Sequence, residues 1–575
     1  MKYLQNEQVL ILGLGISGLA MARWCVRCGA LVRVADTRET PSGLRSLKQQ
    51  VPDLDFIAGE FTLDLLAGGV TQILRSPGLM PDDKGLQAVM AKAKELGIPV
   101  RGELDLFAEA LLQIDIEKIQ IEEAIRAQAQ QERAQDDEST TIVMQLPEDE
   151  VALEKGDVDL DEFEADDLMA EPVIEPLPVV TGYKPKVIAI TGTNGKTTVT
   201  SLTAVLVTRA GKTVIAAGNI GLAMMDALSE CLDAGQLPEV WVLELSSFQL
   251  ENTKKFEPTA ATILNVTQDH LDWHGTMENY VVAKGNIFGA HTTRVLNRDD
   301  VISMRFVPKP VEEVATKRKR LAKNAFLPLV TFGTDAPNQA GDFGIIESGG
   351  TSWLVQTLEA DETTGSTGLA MNLLMPVEAL HIRGRHNASN ALAALALASM
   401  AGCEIGSMLR GLRDYRGEPH RVELIGTVAG VGYIDDSKGT NVGATAAAIA
   451  GLGADLRDGN QIVLILGGQG KGQDFSPLVP LVADYVKSIA LIGQDAKVIE
   501  TALKKTDVPM MHAATLSEAV ELSASQASSG DIVLLSPACA SLDMFKDYKH
   551  RAQVFVEAVQ GLQEQIKDEI MRGEQ

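Results

Sequence analysis

Several residues in the middle of the chain lie just past apolar, strand-like runs, and each suits chemistry on a phosphate. In "VIAITGTNGKTTVT", residues 187 to 200, Gly192 and Gly195 let the backbone turn its N–H groups inward, Lys196 can reach terminal phosphates, and the Thr197 hydroxyl can ligate Mg2+. The helix expected to follow adds its positive end. The spacing is Gly-x-x-Gly-Lys-Thr, with Ile190 where the usual phosphate loop has its first glycine. Further on, "VWVLELSSFQLE" sets Glu244 at a strand end, where a carboxylate suits a magnesium ion. Beyond another strand, "TILNVTQDHLDWHG" delivers Asp269, His270 and Asp272. Single residues of these types are ordinarily surface or satisfied core groups. Their repeated position beyond strands in one α/β unit favours a site.

A second loop lies near the amino terminus. "VLILGLGISGLA", residues 9 to 20, has Gly13, Gly15 and Gly18 between a strand and a helix, and Asp36 ends the next strand. Motif rules read this as a ribose-binding dinucleotide site, so an NAD-dependent oxidoreductase is a competing expectation. Against it, a nicotinamide enzyme has no need of a separate ATP-type loop with a magnesium carboxylate. A non-catalytic nucleotide-binding scaffold is the other alternative.

These loops need scaffolds. The first hundred residues alternate strand-like "VLILGL", helix-like "SGLAMARWCVRCG" and strand-like "LVRVAD", then "TQILRSPG" and "AVMAKAKELGIPV", which implies a parallel sheet flanked by helices. The rhythm resumes at Val187 and again from about Gly417, where "IVLILGG", "SIALIG" and "DIVLLSP" are parallel-strand candidates. At 575 residues, three to four units are expected. Between the first two alternations, residues 113–182 hold 21 Asp and Glu against 4 Lys and Arg, most of the chain's formal net charge of −27. Acidic, aromatic-poor sequence does not easily offset its ordering entropy, so this segment reads as an insert or mobile linker with some local helix. The basic run "KRKR" at 317–320 reads as a solvated helix face.

A 45% hydrophobic and 22% charged composition fits a globular α/β protein, and the negative balance argues against a nucleic-acid partner. No apolar run approaches the roughly 20 residues that span a bilayer, and the start lacks a signal-peptide pattern, so no membrane insertion and a cytoplasmic location are expected. The five cysteines are scattered, and Cys25 and Cys28 lack the second pair a zinc site needs, so they read as half-buried helix residues.

In chain order, "ITGTNGKTTVT", "LELSSFQLE", "LNVTQDHLDWHG", "GRHNASNALAALA", "EPHRVE", "DDSKGTNVGAT", "LGGQGKGQDF" and "SPACASLDMFKDYKHRA" resemble the Mur ligases of peptidoglycan synthesis. With "GLGISG", "DTR" and "SPG" in the first domain, they are most similar to the branch that adds D-glutamate to UDP-N-acetylmuramoyl-L-alanine (UDP-MurNAc-L-Ala). The resemblance covers nearly the whole chain except 113–182, where the family has only a short connection. It implies three α/β domains: a Rossmann-like UDP-binding domain over 1–102, a central P-loop ATPase domain with a parallel sheet over 103–417, interrupted by the insert, and a Rossmann-like amino-acid domain over 418–575. It also accounts for two loops, one for the UDP end of the acceptor and one for ATP.

The implied reaction phosphorylates the acceptor carboxylate and lets the amine of D-glutamate attack the acyl phosphate. ATP, two Mg2+ ions, UDP-MurNAc-L-Ala and D-glutamate are the implied ligands. A monomer is expected, and the insert reads as a spacer, with an unknown partner for it left open. By resemblance, the nucleotide loop comprises Gly192, Thr193, Asn194, Gly195, Lys196, Thr197 and Thr198, and Glu244 and His270 serve the magnesium sites. Lys284, in "VVAKGNIF", matches a lysine that family members carbamylate to make a magnesium ligand. Without the resemblance it would read as a solvated helix lysine. Asn387 and Asn390 match nucleotide-contacting asparagines, and Arg421, Asp436 and Lys438 match ATP-facing residues of the third domain.

Thr440, Lys471, Ser541 and Phe545 match the D-glutamate pocket, although an aromatic on a helix is core at least as often. Ser17, Asp36, Thr37, Arg38, Ser76 and Gly78 match uracil and diphosphate contacts, and Asn219 matches a muramoyl contact. Gly439 stands where the family usually has Ala. A sister Mur-type ligase taking another amino acid is the nearest alternative. The Asp-Asn-Pro-Arg pocket motif of the lysine- or diaminopimelate-adding branch is absent. Folylpolyglutamate synthase shares the central loop but not the amino-terminal domain. The set Lys196, Glu244, His270 and Lys284 disfavours both the oxidoreductase and the scaffold.

Overall fold

A computed structural model describes residues 2–143, 179–308, 329–360, 368–456 and 459–573. The stretch 144–178 and the basic run at 317–320 lie outside the described residues. Three sheets carry the architecture. The first contains β1 (Gln8–Leu12), β2 (Leu31–Asp36), β3 (Asp55–Ala58), β4 (Gln72–Arg75) and β5 (Val100–Arg101), all parallel in the order β3-β2-β1-β4-β5. The run "VLIL" of β1 is fully inside, as a central parallel strand covered on both faces must be. Leu10, Leu12 and Ile73 form the core under helix Lys84–Glu95. That helix starts where the Asp83 carboxylate accepts the Leu86 N–H at 2.7 Å.

The central sheet contains β6 (Lys186–Thr191), β7 (Val214–Gly218), β8 (Val240–Glu244), β9 (Ala260–Ile263), β10 (Thr293–Asn297) and β11 (Leu329–Phe332), then β12 (Phe343–Ser348), β13 (Thr351–Glu359) and β14 (Leu369–Pro376). Its order is β14-β13-β12-β11-β10-β9-β6-β8-β7, and only the β12-β13-β14 edge is antiparallel. Helix Arg385–Met400, "RHNASNALAALALASM", buries every residue from Ala391 to Ala398. Its alanines let it lie close against helix Lys196–Arg209, which leaves the nucleotide loop, and the two share one core with β6, β8 and β10.

The third sheet contains β15 (Glu423–Val428), β16 (Val431–Asp435), β17 (Ile462–Gly467), β18 (Val486–Ile492), β19 (Met510–His512) and β20 (Ile532–Leu535), in the order β15-β16-β20-β17-β18-β19. All its pairs are parallel except β15 with β16. Three α/β layers with parallel sheets therefore follow the expected class.

Two local expectations are refined. Helix Glu103–Val143 runs through residue 113 without a break, so the insert has no structural edge there. The described part of residues 108–184 forms a unit of its own, in which Asp115 accepts the Tyr183 N–H at 2.7 Å and Glu122 accepts those of Thr181 and Gly182 at 2.6 and 2.9 Å. Cys25 and Cys28 are fully buried, deeper than the half-burial expected. Among the described residues, no helix is long and apolar enough to cross a membrane.

Candidate active site

Strand β6 ends at Thr191, and the loop that follows turns through Gly192 and Gly195, with φ of +155° and +82°, into helix Lys196–Arg209. A side chain on Gly195 would press on the Asn390 amide oxygen, so glycine is needed for close approach as well as for its conformation. Lys196 folds back over the loop and donates from Nζ to the carbonyl oxygens of Gly192 and Thr193, both at 2.9 Å. Burial pushes its pKa down. Glu244 opposes that fall, and Arg421 adds to it.

Glu244, at the end of β8, is only 2% exposed. Its Oε1 accepts from the Asn219 amide at 2.9 Å, while its buried Oε2 has no hydrogen-bond partner. A buried carboxylate oxygen left unpaired is costly unless something cationic meets it. His270 follows β9 with φ of +53° and lies edge-on to Phe248, centroids 4.8 Å apart. Burial lowers its pKa, with Asp269 opposing and Lys196 and Lys284 reinforcing.

Lys284 lies on helix Met277–Gly285 and is 1% exposed. Its Nζ donates to the Gly192 carbonyl at 2.9 Å and sits 4.5 Å from the centre of the Tyr280 ring. The Tyr280 hydroxyl in turn meets Thr193 Oγ1 at 3.2 Å. Burial, with Lys196 as a like charge, holds Lys284 well below the usual lysine range. It is not the solvated lysine that a bare reading of its helix gives. Asn387 and Asn390 begin helix Arg385–Met400 and are joined to each other at 3.1 Å.

The third sheet supplies the opposite wall. Arg421 NH2 donates to the Thr197 hydroxyl at 2.7 Å. Asp436 is buried, takes a 2.6 Å bond from Ser536, and is pushed up to about 7 by burial. Burial and the neighbouring Arg421 bring Lys438 down to about 8, and its Nζ lies 3.9 Å from the centre of the Tyr548 ring. Asn441 reaches Asn194 Oδ1 at 3.2 Å and caps its own helix by accepting the Ala444 N–H.

A cavity of about 320 Å3 joins these walls. It is lined from the central sheet by Thr193 to Thr197, Asn219, Glu244 and Gln268 to Asp272, and from the third sheet by Arg421, Lys438, Thr440, Asn441 and Lys471. Of the expected set, Gly192, Thr198, Lys284, Asn387, Asn390 and Asp436 are not on this lining. Ser541 is 4% exposed and off the lining, and the Phe545 ring packs into the third domain's core beside Met544. Tyr548, three residues further along, lies over Lys438. Sequence reasoning also missed Tyr280, although its place four residues before Lys284 on one helix face carried the signal.

The amino-terminal set gathers separately at the carboxyl ends of β1, β2 and β4. Asp36 is 2% exposed and accepts the Leu14 N–H at 2.6 Å and both the Arg38 Nε and NH2 at 2.8 Å. Burial works to raise its pKa, and those bonds hold it lowered all the same. Ser76 is buried beneath Gly13 and Gly15, Ser17 opens helix Ile16–Arg27, and Thr37 and Gly78 lie on the exits from β2 and β4.

The fold and this site define a multidomain α/β nucleotide-binding enzyme with a phosphate loop facing a second domain. The MurD-like N-terminal domain of Mur ligases matches residues 7–102, the Mur ligase middle domain residues 190–398, and the Mur ligase glutamate ligase domain residues 420–539. A UDP-N-acetylmuramoylalanine--D-glutamate ligase from Polaromonas sp. is 51% identical over 593 residues, covering 98% of this chain and 99% of that protein. One of the same name from Albidiferax ferrireducens is 49% identical, with 97% of each chain covered. Among solved structures, UDP-N-acetylmuramate-alanine ligase from Thermotoga maritima is similar at 17% identity and a TM-score of 0.47, covering 96% of this chain and 99% of that one. The chain belongs to the Mur ligase family.

Proposed function

We propose that the protein is an ATP-dependent amide ligase that adds D-glutamate to UDP-MurNAc-L-Ala, with ADP and phosphate as by-products. The reading takes the chain as three domains, over 1–102, 103–417 and 418–575. The observation that carries the reading is the unpartnered Glu244 Oε2, buried in a cavity walled by Lys196 and Thr197 on one side and Arg421 on the other. That oxygen and the neighbouring Thr197 hydroxyl fit Mg2+, which prefers hard oxygen ligands. Thr197, Glu244, His270 and a carbamate on Lys284 would hold two such ions. Bound there, magnesium would offset charge where the phosphates and the acceptor carboxylate meet.

The chain's own residues do the rest. Backbone N–H groups of the loop 192–198 and the Lys196 ammonium bind the β- and γ-phosphates, with Asn387 and Asn390 on the nucleoside side. Arg421 brings a planar pair of donors to the transferring phosphoryl oxygens, and Asp436 and Lys438 complete that wall. The acceptor's UDP end lies at Ser17, Asp36 to Arg38, Ser76 and Gly78, and Asn219 meets its muramoyl part. Thr440 and Lys471 hold the carboxylates of D-glutamate, with Ser541 and Phe545 behind them.

A carboxylate oxygen attacks the γ-phosphorus, and ADP leaves. The D-glutamate amine then attacks the acyl carbon, the C–O bond breaks, and phosphate departs with the oxygen that the carboxylate supplied. An acceptor with a heavy-oxygen-labelled carboxylate tests this directly. One labelled oxygen should appear in the released phosphate, and unlabelled phosphate would rule out acyl-phosphate chemistry.

A further inference from the structure

Arg421 stands between two residues in the left-handed region: His420 has φ of +65° and Val422 has φ of +50°. A β-branched residue there is an outlier that persists only when its surroundings over-determine it. The end of β16 provides that constraint. Asp435 is fully buried, and its Oδ2 bonds the His420 Nδ1 at 2.8 Å. Its Oδ1 accepts from the Ser437 N–H at 2.9 Å and from the Ser437 hydroxyl. The His420 backbone is fixed as well, because its N–H donates to Glu423 Oε2 at 2.8 Å and its carbonyl accepts the Lys438 N–H at 3.2 Å. Fully buried Arg551 anchors the turn by donating to the Ser437 carbonyl at 2.8 Å.

His420, Glu423 and Asp435 present ligand-type atoms within 4.8 Å of one another. Both carboxylates already accept protein hydrogen bonds, so the trio is satisfied without a cation. The trio's bonds surround a segment with two left-handed residues, from which Arg421 reaches Thr197. Asp435 does not line the cavity, so it reaches the reaction only through neighbouring residues, of which the His420 imidazole is bonded at 2.8 Å.

We infer that Asp435 is a positioning residue: its carboxylate clamps the His420 imidazole and so fixes Arg421 against the nucleotide loop. The inference rests on the proposed role of Arg421 in ATP turnover. A carboxylate at Nδ1 also selects the imidazole form that donates there, which sets the ring's orientation. The clamp belongs to the third domain and its target to the central one, so it tunes the meeting of the two walls.

A double-mutant cycle tests this, with ATP kcat/KM as one readout and ATP affinity by calorimetry as the other. Asp435→Ala and His420→Ala should each lower kcat/KM roughly tenfold to a hundredfold. Asp435→Asn, which keeps one acceptor oxygen, should lose less. In an Arg421→Ala background the same substitutions should change either readout by less than about twofold. Losses that multiply in that background would overturn the inference, as would wild-type turnover in Asp435→Ala. If Asp435→Ala does not fold, His420→Ala carries the cycle, since His420 lies in a partly exposed loop rather than in the sheet. Wild-type enzyme without D-glutamate-dependent turnover would overturn the ligase reading instead, and the calorimetric cycle would still report on the clamp.

Discussion

Arg421 and Thr197, 224 positions apart in the chain, are joined by a 2.7 Å hydrogen bond from guanidinium to hydroxyl. The bond brings the third sheet's wall to the first turn of the helix that leaves the nucleotide loop.

Arg421→Lys keeps the charge and loses the planar fork, so kcat should fall at least about tenfold with the fold intact. Lys196→Ala should cost more, on the order of a hundredfold to a thousandfold, because it removes a charge from the phosphates themselves. Steady-state ATP turnover with saturating acceptor checks both. An Arg421→Lys enzyme with wild-type kcat would show that the fork is not used.

Lys284 leads to a different kind of experiment. Burial holds its amine well below the usual lysine range, which favours the uncharged amine, the form that adds carbon dioxide and releases a proton. Carbon-labelled bicarbonate should therefore give a carbamate signal that Lys284→Arg lacks, and that variant should lose roughly tenfold to a hundredfold in activity. Turnover should drop when dissolved carbon dioxide is removed and return when it is restored. Full activity in Lys284→Arg would dismiss the carbamate.

Two aromatic residues near the third domain's end of the cavity have different surroundings. Tyr548 lies over Lys438 on the ATP wall, so Tyr548→Ala should raise KM for ATP several-fold, the loss of one cation–π contact, and leave that for D-glutamate within about twofold. Phe545 packs with Met544 and the third domain's core, so Phe545→Ala should lower the melting temperature more than it raises the KM for D-glutamate. A KM for D-glutamate that rises without a fall in melting temperature would put the Phe545 ring in contact with the substrate instead.

Stability should fall in mild acid. Burial depresses His386 to about 4, and His274 likewise, against 6.5 for a free imidazole. Between those values the unfolded chain binds more protons than the folded one, so unfolding becomes easier as pH falls through the window. The contribution is complete above pH 6.5 and gone below about 4. His386→Gln should flatten that part of the melting-temperature profile, and an unchanged slope would assign the acid sensitivity elsewhere.

How much the sequence revealed varied with how local each cause is. The strands were legible because central parallel strands are apolar on both faces, as "VLIL", "IAIT" and "IVLILG" are. Lys196 and Glu244 were legible because their places are fixed by adjacent turns. Lys284 was not, since its burial depends on the Gly192 carbonyl from 92 residues away and on the ring of Tyr280. Nor does the pair "DD" at 435 and 436 reveal that one carboxylate grips His420 while the other meets Ser536. The second comes from pairing β16 with β20, a long-range event, and the first from the β15–β16 hairpin, where Glu423 pairs with Asp435.

The central claim is that one loop binds the acceptor, the other binds ATP, and the reaction joins them. Its most direct test is phosphate release from ATP with UDP-MurNAc-L-Ala, comparing D-glutamate with L-glutamate, L-lysine and meso-diaminopimelate. The account predicts release that requires both the acceptor and D-glutamate and vanishes in Lys196→Ala. Release that proceeds equally with any of the other amino acids, or without the acceptor, would contradict it.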